Sequence, residues 1–252
     1  MSIDPGWPVA VALAALLALA LGAHRFAGYG LTGTAALAAA RALVQLSVVA
    51  LLIKVVVDSV ALSALFSLAM FGMGVFTTSR RTGARRSWPW AAAAMACGVV
   101  PVLAIVLASR AVPFEGIAII PVAGIVIGNA MTANTLVGRH AYAVLADEHA
   151  QYEASLALGM SPAQGILEII HRRSPEALLP GLDQVSTTGL VTLPGAFIGV
   201  MLGGGSPVQA ATAQVLVLFG IMAAQTITVL VAERLIAARR LLPAALRASL
   251  RD

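Results

Sequence analysis

Side chains able to bind a solute fall into two groups in this sequence. One is a polar set within apolar runs: Arg41 and Gln45, then Asn129, Met131, Thr132 and Asn134, then Thr187, Thr188 and Thr192. Such groups either hydrogen-bond neighbouring helices or line a hydrophilic path, because polar atoms in a spanning helix face protein or water rather than lipid. The other is the string His140, Asp147, Glu148, His149 and Glu153. Its two histidines are nine residues apart, about 13 Å by helical rise, too far to share one metal ion, so a solvated helix is the expected outcome. Met131 and Met201 can touch a soft metal, although filling a core is the commoner use of methionine, and no metal site is assigned. No Ser-His-Asp arrangement occurs, and the single cysteine, Cys97, sits in an apolar run. An enzyme is not expected.

The elements that position these groups are transmembrane helices. Apolar residues make up 60% of the chain and charged residues 11%, and repeated runs approach or exceed the length needed to cross a bilayer. Lipid admits helices because each backbone amide must be satisfied without water. The expected fold is an all-α polytopic membrane protein, one domain over residues 1–252, with spans near 7–23, 38–57, 60–78, 89–108, 117–137, 183–203 and 207–232. The first run has no Lys or Arg before it, so it reads as a span and not as a cleavable leader.

The net charge of +5 is explained by topology, and nucleic acid is not an expected partner. With seven spans and the amino terminus outside, the inner segments hold Arg25 and Arg41, then Arg80, Arg81, Arg85 and Arg86, then Arg139, Arg172 and Arg173, and finally Arg234 to Arg251. Only Lys54 and Arg110 fall toward the other side. This is the positive-inside pattern, with the carboxy terminus in the cytoplasm. The outer loops are short, around Asp58 and Ser59, Ser109 to Gly116, and Gly203 to Ser206.

The long non-spanning segment, about 139–181, is therefore inside. Within it Gly159 can end a helix in the left-handed conformation, and Ser161, Pro162 and Gln164 form an N-cap, a first-turn proline and a capping box. The following helix, about Pro162 to Arg172, carries Ile166, Ile169 and Ile170 on one side and a Glu168 to Arg172 pair four apart. Helix, sharp turn and short amphipathic helix make an element suited to lie in a partner's groove. In the sixth expected span Gly195, Gly199 and Gly203 recur every four residues, with Pro194 just before them, and Gly124 and Gly128 form a second ridge. Small-residue ridges pack helices closely inside one subunit or line an interface or a translocation path, where Pro194 can provide a hinge by removing one backbone bond.

Glu153, Ala154 and Ser155, followed by Gly159 and, ten residues on, Ile169, resemble the EAA loop of ABC-transporter permeases, which docks on an ATP-binding subunit. Leu179 and Pro180 come later than the Leu-Pro of that pattern. RALVQL (41–46), GNAMTANTLVGR (128–139), YEASLALGMSP (152–162) and TTGLVTLPGAFIGVMLGGGSPVQAATAQ (187–214) together resemble the FetB family of permeases, which includes iron exporters and plant relatives linked to aluminium tolerance. The resemblance implies a bacterial inner-membrane permease that pairs with a second copy of itself and with a cytoplasmic ATP-binding subunit. Glu153, Ala154, Gly159, Met160, Ser161 and Pro162 would form the coupling contact. The chain has no GxxxxGK[ST] loop, and Lys54 is its only lysine, so ATP and Mg belong to the partner and no cofactor is expected here. Two other readings remain open: export of a small organic or sugar-nucleotide cargo, and a membrane interaction or signalling protein outside the ABC class. Convergence of Gln45, Asn129, Met131 and Thr187 to Thr192 on an ion-sized site would favour metal.

Overall fold

A computed structural model describes residues 6–250; Arg251, counted above among the carboxy-terminal arginines, lies outside the described residues. The protein is an all-α polytopic membrane protein, in which six helices among the described residues are long and apolar enough to cross a membrane: Trp7–Phe26, Thr32–Val57, Val60–Arg81, Arg85–Ala108, Gly116–Asp147 and Pro207–Ala237. The chain divides into two compact units, Met1–Val56 and Val57–Asp252. The first holds α1 (Trp7–Phe26) and nearly all of α2 (Thr32–Val57), separated by a turn in which Gly28 and Gly30 take φ values of 66° and 68°.

In the second unit α3 (Val60–Arg81), α4 (Trp88–Ala108), α5 (Gly116–Asp147) and α10 (Pro207–Ala237) form the bundle. Between α5 and α10 come α6 (His149–Ala157), α7 (Pro162–His171), α8 (Leu179–Thr187) and α9 (Gly195–Leu202), and α11 (Ala244–Ser249) ends the described chain. A close seam joins α4 to α10. Gly98 lies against the Ala224 carbonyl and the Thr228 hydroxyl, and one turn on Gly220 faces Val102, so the two backbones approach where glycine removes the side chain. A polar clasp ties α5 to α3: Asn134 Nδ2 and the Thr135 hydroxyl both donate to Thr78 Oγ1, at 3.1 and 2.9 Å, with Thr78 fully buried.

The arginine-rich segments of this unit gather at one end. Ser87 donates to the Leu242 carbonyl at 3.1 Å, Tyr142 to the Leu241 carbonyl at 2.8 Å, and the Arg240 guanidinium stacks 4.6 Å from the Trp90 ring centre. The α3–α4 turn, the late part of α5 and the tail after α10 are thereby joined.

The expected continuous span over 183–203 is corrected to a broken one. α8 stops at Thr187, and residues 188–194 form a turn in which the Gly189 amide, at φ 90°, donates to the Thr192 carbonyl at 2.8 Å. Leu193 is pushed off the helical region by the proline that follows, and Pro194, φ −69° and ψ 154°, starts α9 instead of hinging a longer helix. Eight residues of α9 rise only about 12 Å, too little to cross a bilayer. The pieces nevertheless climb alongside α10: Gly181 of α8 packs on Gln225, while Pro194 and Gly199 lie at the level of Gln214 and Val217. Where the seventh span was expected, two short helices stand, and among the described residues six helices are long and apolar enough to cross.

Gly98→Ala is expected to push α4 off α10 and lower stability by about 1–3 kcal/mol, the usual range for an overpacked seam, read as a lower thermal midpoint in detergent. Gly128→Ala, where an added Cβ would meet nothing within 4 Å, serves as the control and should leave the midpoint unchanged or slightly raised.

Candidate functional site

The helix–turn–helix at the arginine-rich end follows its sequence signals closely. α6 ends at Ala157, Gly159 adopts φ 87°, and the Met160 and Gly159 amides close the turn on the Ser155 and Leu156 carbonyls. Ser161 then caps α7, its hydroxyl accepting from the Gln164 amide at 3.4 Å while Gln164 Oε1 accepts from the Ser161 amide at 2.9 Å. Ile166, Ile169 and Ile170 are buried and seat α7 on the bundle. Tyr152, fully buried, and Ser155 pack on Gly165, where a side chain would collide with the serine hydroxyl, so α6 and α7 are held as one piece.

What this piece leaves outside is the surface named from sequence. Glu153, Ala154, Gly159, Met160 and Ser161 are exposed and Pro162 half-buried, and Leu158 beside them is 82% exposed, an unusual place for a leucine on a polar turn. A cleft of about 380 Å³ lined by Met160, Gln164, Leu167, Glu168, His171 and Arg234 continues this surface.

Two ionic contacts were not foreseen. Arg172 turns from Glu168 and reaches across to the start of α6, donating to Glu148 Oε2 at 3.4 Å and Gln151 Oε1 at 3.3 Å. His171 Nδ1 lies 2.9 Å from Glu233 Oε1 of α10. The Glu233 side chain is 6% exposed and its partner 72%, so a carboxylate buried in the bundle looks out to a ring on α7. Such a carboxylate is held only while something pairs with it. Nearby, the hydrogen bond from Arg173, at 2.8 Å, holds the Glu176 carboxyl below the usual carboxylate range.

The string from His140 to Glu153 does not form one helix. α5 ends at Asp147 and α6 begins at His149; His140 Nδ1 is 4.0 Å from Glu176, and His149 Nε2 is 3.2 Å from the Ser249 carbonyl. Among the described residues no three His, Cys, Asp or Glu side chains converge as metal ligands would.

The polar groups within the spans disperse. Thr132, Thr187 and Thr188 each bond a carbonyl four residues back on their own helix, at 3.0, 2.8 and 2.7 Å. Thr192 sits exposed in the turn, Asn134 gives its Nδ2 to the clasp on Thr78, and Met131 is half-buried beside Gly74 of α3. Arg41 and Gln45 belong to α2 in the first unit. Within the second unit the ion-sized convergence does not form.

Asn129 of that set reaches a cavity. It measures about 650 Å³ and is lined by Gly124, Gly128 and Asn129 of α5, Gln184 of α8, Pro194, Gly195 and Gly199 of α9, and Gln214 of α10. Of the two glycine ridges only Gly124 meets a neighbouring helix, at Met70 of α3; an added Cβ at Gly128, Gly195 or Gly199 would meet nothing within 4 Å, and Gly203 touches only its own helix. Asn129 Nδ2 donates to the Ile125 carbonyl at 2.9 Å, and its Oδ1 accepts from Gln225 at 3.2 Å. Gln184, Gln214 and Gln225 escaped sequence reading. The available signal was the spacing of Gln214 and Gln225, eleven residues or three turns apart on one face of an apolar helix.

Residues 7–241 match the family described as Uncharacterised protein family UPF0014. The chain is 32% identical over 240 residues to the rice protein named UPF0014 membrane protein STAR2, covering 90% of this chain and 84% of that one. It is 29% identical over 195 residues to the Escherichia coli protein named Probable iron export permease protein FetB, 76% of this chain and 75% of that one. To the Arabidopsis thaliana protein named ALUMINUM SENSITIVE 3 it is 35% identical over 116 residues, 46% of this chain and 42% of the relative. No solved structure matches. With its helices matched almost from end to end, this chain belongs to the UPF0014 family of membrane proteins.

Proposed function

We propose that this chain is the permease subunit of an ABC transporter that exports iron or a related metal species across the bacterial inner membrane. The observation that carries the reading is the capped, rigid α6–α7 piece. Its outer face is exposed at the arginine-rich end, and its inner face is wedged into α5 and α10. An element anchored this way can pass a push from an outside partner to spanning helices, which is the requirement for rigid-body coupling. The likeness to a relative named as an iron export permease supports the cargo and its direction.

In this reading the arginine-rich end is cytoplasmic, consistent with the positive-inside bias, and the amino terminus lies outside. A cytoplasmic ATP-binding subunit supplies ATP and Mg and receives Glu153, Ala154, Gly159, Met160, Ser161 and Pro162 in a groove; a second copy of this chain completes the pathway in the lipid bilayer. Glu153 offers a charge for a basic residue of the partner, and Met160 and Leu158 offer apolar anchors.

Reconstitution with a cognate ATP-binding subunit tests the assignment. A ferric or ferrous species is expected to raise ATP hydrolysis several-fold, and hydrolysis unresponsive to every iron species would remove the metal reading. Glu153→Lys and Gly159→Pro should each abolish that stimulation while the chain still folds, the first by reversing a docking charge and the second by denying the left-handed turn. If both leave stimulation at wild-type level, the coupling surface is elsewhere.

His171→Ala would strand the Glu233 carboxylate and loosen α7 by about 1–2 kcal/mol, less than a fully buried pair because the ring is exposed. The expected sign is faster protease cleavage within residues 158–175, largely restored when Glu233→Gln removes the stranded charge. Cleavage unchanged in the single variant would mean that the isoleucines alone hold α7.

A further inference from the structure

α8 carries a carboxylate to membrane depth. Gly98, the middle residue of the spanning helix α4, lies against Ala224 of α10. The next residue, Gln225, bonds Asn129 of α5, and Gly181 of α8 packs on its carboxamide. Gly181 therefore sits close to the level at which α4 passes the bilayer centre, and Asp183, two residues on, is displaced from it by only about 3 Å of helical rise. Gln184 opens into the cavity shared with Gly128, Asn129 and Ile221, which gives the same depth from a second set of neighbours. With Gly181 against α10, Asp183 lies about 200° around α8 and points away from the bundle. It is exposed, and among the described residues no cation pairs with its carboxylate.

A carboxylate facing lipid at this depth is costly, and ionisable groups within spans almost always meet water, a counter-charge or the path of an ion. The hydroxyls around Asp183 narrow the choice to a cation. Ser186 and Thr187, one turn on and on the same side of α8, both donate to the Asp183 carbonyl, at 3.0 and 2.8 Å. Their hydrogens are spent on backbone, so toward the outside these oxygens can only accept. A carboxylate and hydroxyl oxygens, all acceptors, suit a cation and give an anion nothing to bond. We infer that this side of α8 faces water at membrane depth and that Asp183, with the Ser186 and Thr187 oxygens, holds a hydrated cation there. One carboxylate among neutral oxygens holds such an ion loosely, as passage requires, because an ion must leave as readily as it enters. That the face belongs to a transport path rests on the function proposed above; that it is wet and draws cations does not.

Thiol labelling of the full-length chain in lipid nanodiscs tests this without any ATPase. In a Cys97→Ala background, Ser186→Cys should react with both cationic and anionic methanethiosulfonate reagents, while Val100→Cys, at a residue of α4 that is 61% exposed among apolar neighbours, should stay unmodified. Asp183→Asn should lower the ratio of cationic to anionic labelling rates about tenfold, the scale on which a fixed charge concentrates a counter-ion, and Asp183→Glu should leave the ratio unchanged. Millimolar Mn(II) should slow the cationic reagent several-fold where Asp183 is present and not in the Asp183→Asn chain. Thermal midpoints check that the variants fold, and the Mn(II) effect with Asp183 in place needs no charge variant at all. Ser186→Cys as inert as Val100→Cys would mean that lipid or protein covers this side of α8 and would overturn the inference, as would a rate ratio indifferent to Asp183→Asn or labelling that ignores Mn(II) with Asp183 present. Failure of these readouts strikes the cation face alone, whereas ATP hydrolysis that no iron species stimulates strikes the export reading and leaves the cation face standing.

Discussion

Backbone within lipid has no water to bond, so a spanning segment that leaves the helix must find its partners inside the protein. Nearly every feature of the second unit follows from how residues 188–194 meet that demand. The turn returns one bond to itself, from Gly189 to Thr192, and the threonine hydroxyls just before it back-bond to their own helix. The start of α9 has no side-chain cap, and it borders a cavity whose polar side chains are carboxamides. Irregular backbone at membrane depth is tolerated where it lines such a space, and transporters with discontinuous helices place it there. The same demand accounts for the seam between α4 and α10: an intact helix beside a broken one must be held rigidly on its other side, and Gly98 brings it against α4 at backbone distance.

Rigidity on one side and openness on the other give α10 a mechanical character. Its arginine-rich end carries Glu233, reached by His171 of α7; its middle carries Gln225, against Gly181 and Asn129; its opposite half carries Gln214, at the cavity. A displacement of α7 therefore acts on a helix that runs without interruption from the exposed helix–turn–helix to the cavity wall, about 28 Å from Glu233 to Gln214 by helical rise. This is a contiguous path with a stiff element along it, the kind of connection that coupling between an energised partner and a distant site needs.

Legibility in the sequence tracked how local the determining forces are. The turn at Gly159, the capping box of Ser161 and Gln164, and the buried face of Ile166, Ile169 and Ile170 are fixed within a few residues, and they are present as the sequence predicts. The apolar runs likewise placed the long helices, since bilayer crossing depends on composition over one segment. Arg172 was misassigned because helical spacing permits a Glu168 partner, while the return of α6 alongside α7 brings Glu148 and Gln151 closer. The glycine ridges left two readings open for a related reason: small residues at intervals of four allow close packing without saying whether a neighbour arrives, and one does at Gly124 but not at Gly195 or Gly199.

The hardest feature to read was the break at Pro194, and the difficulty is physical. A proline inside an apolar run of spanning length fits both a kinked continuous helix and the first turn of a new one. Pro101 within α4 and Pro121 within α5 took the first course in this same chain. What separates Pro194 is the preceding stretch: Gly189 in a left-handed turn, then β-branched Val191 and Thr192, then Leu193 forced toward extended geometry. Each alone is tolerated in a spanning helix. Together they leave no run of helical residues long enough to carry the chain past the proline, and the start of α9 is thereby opened toward Gln214.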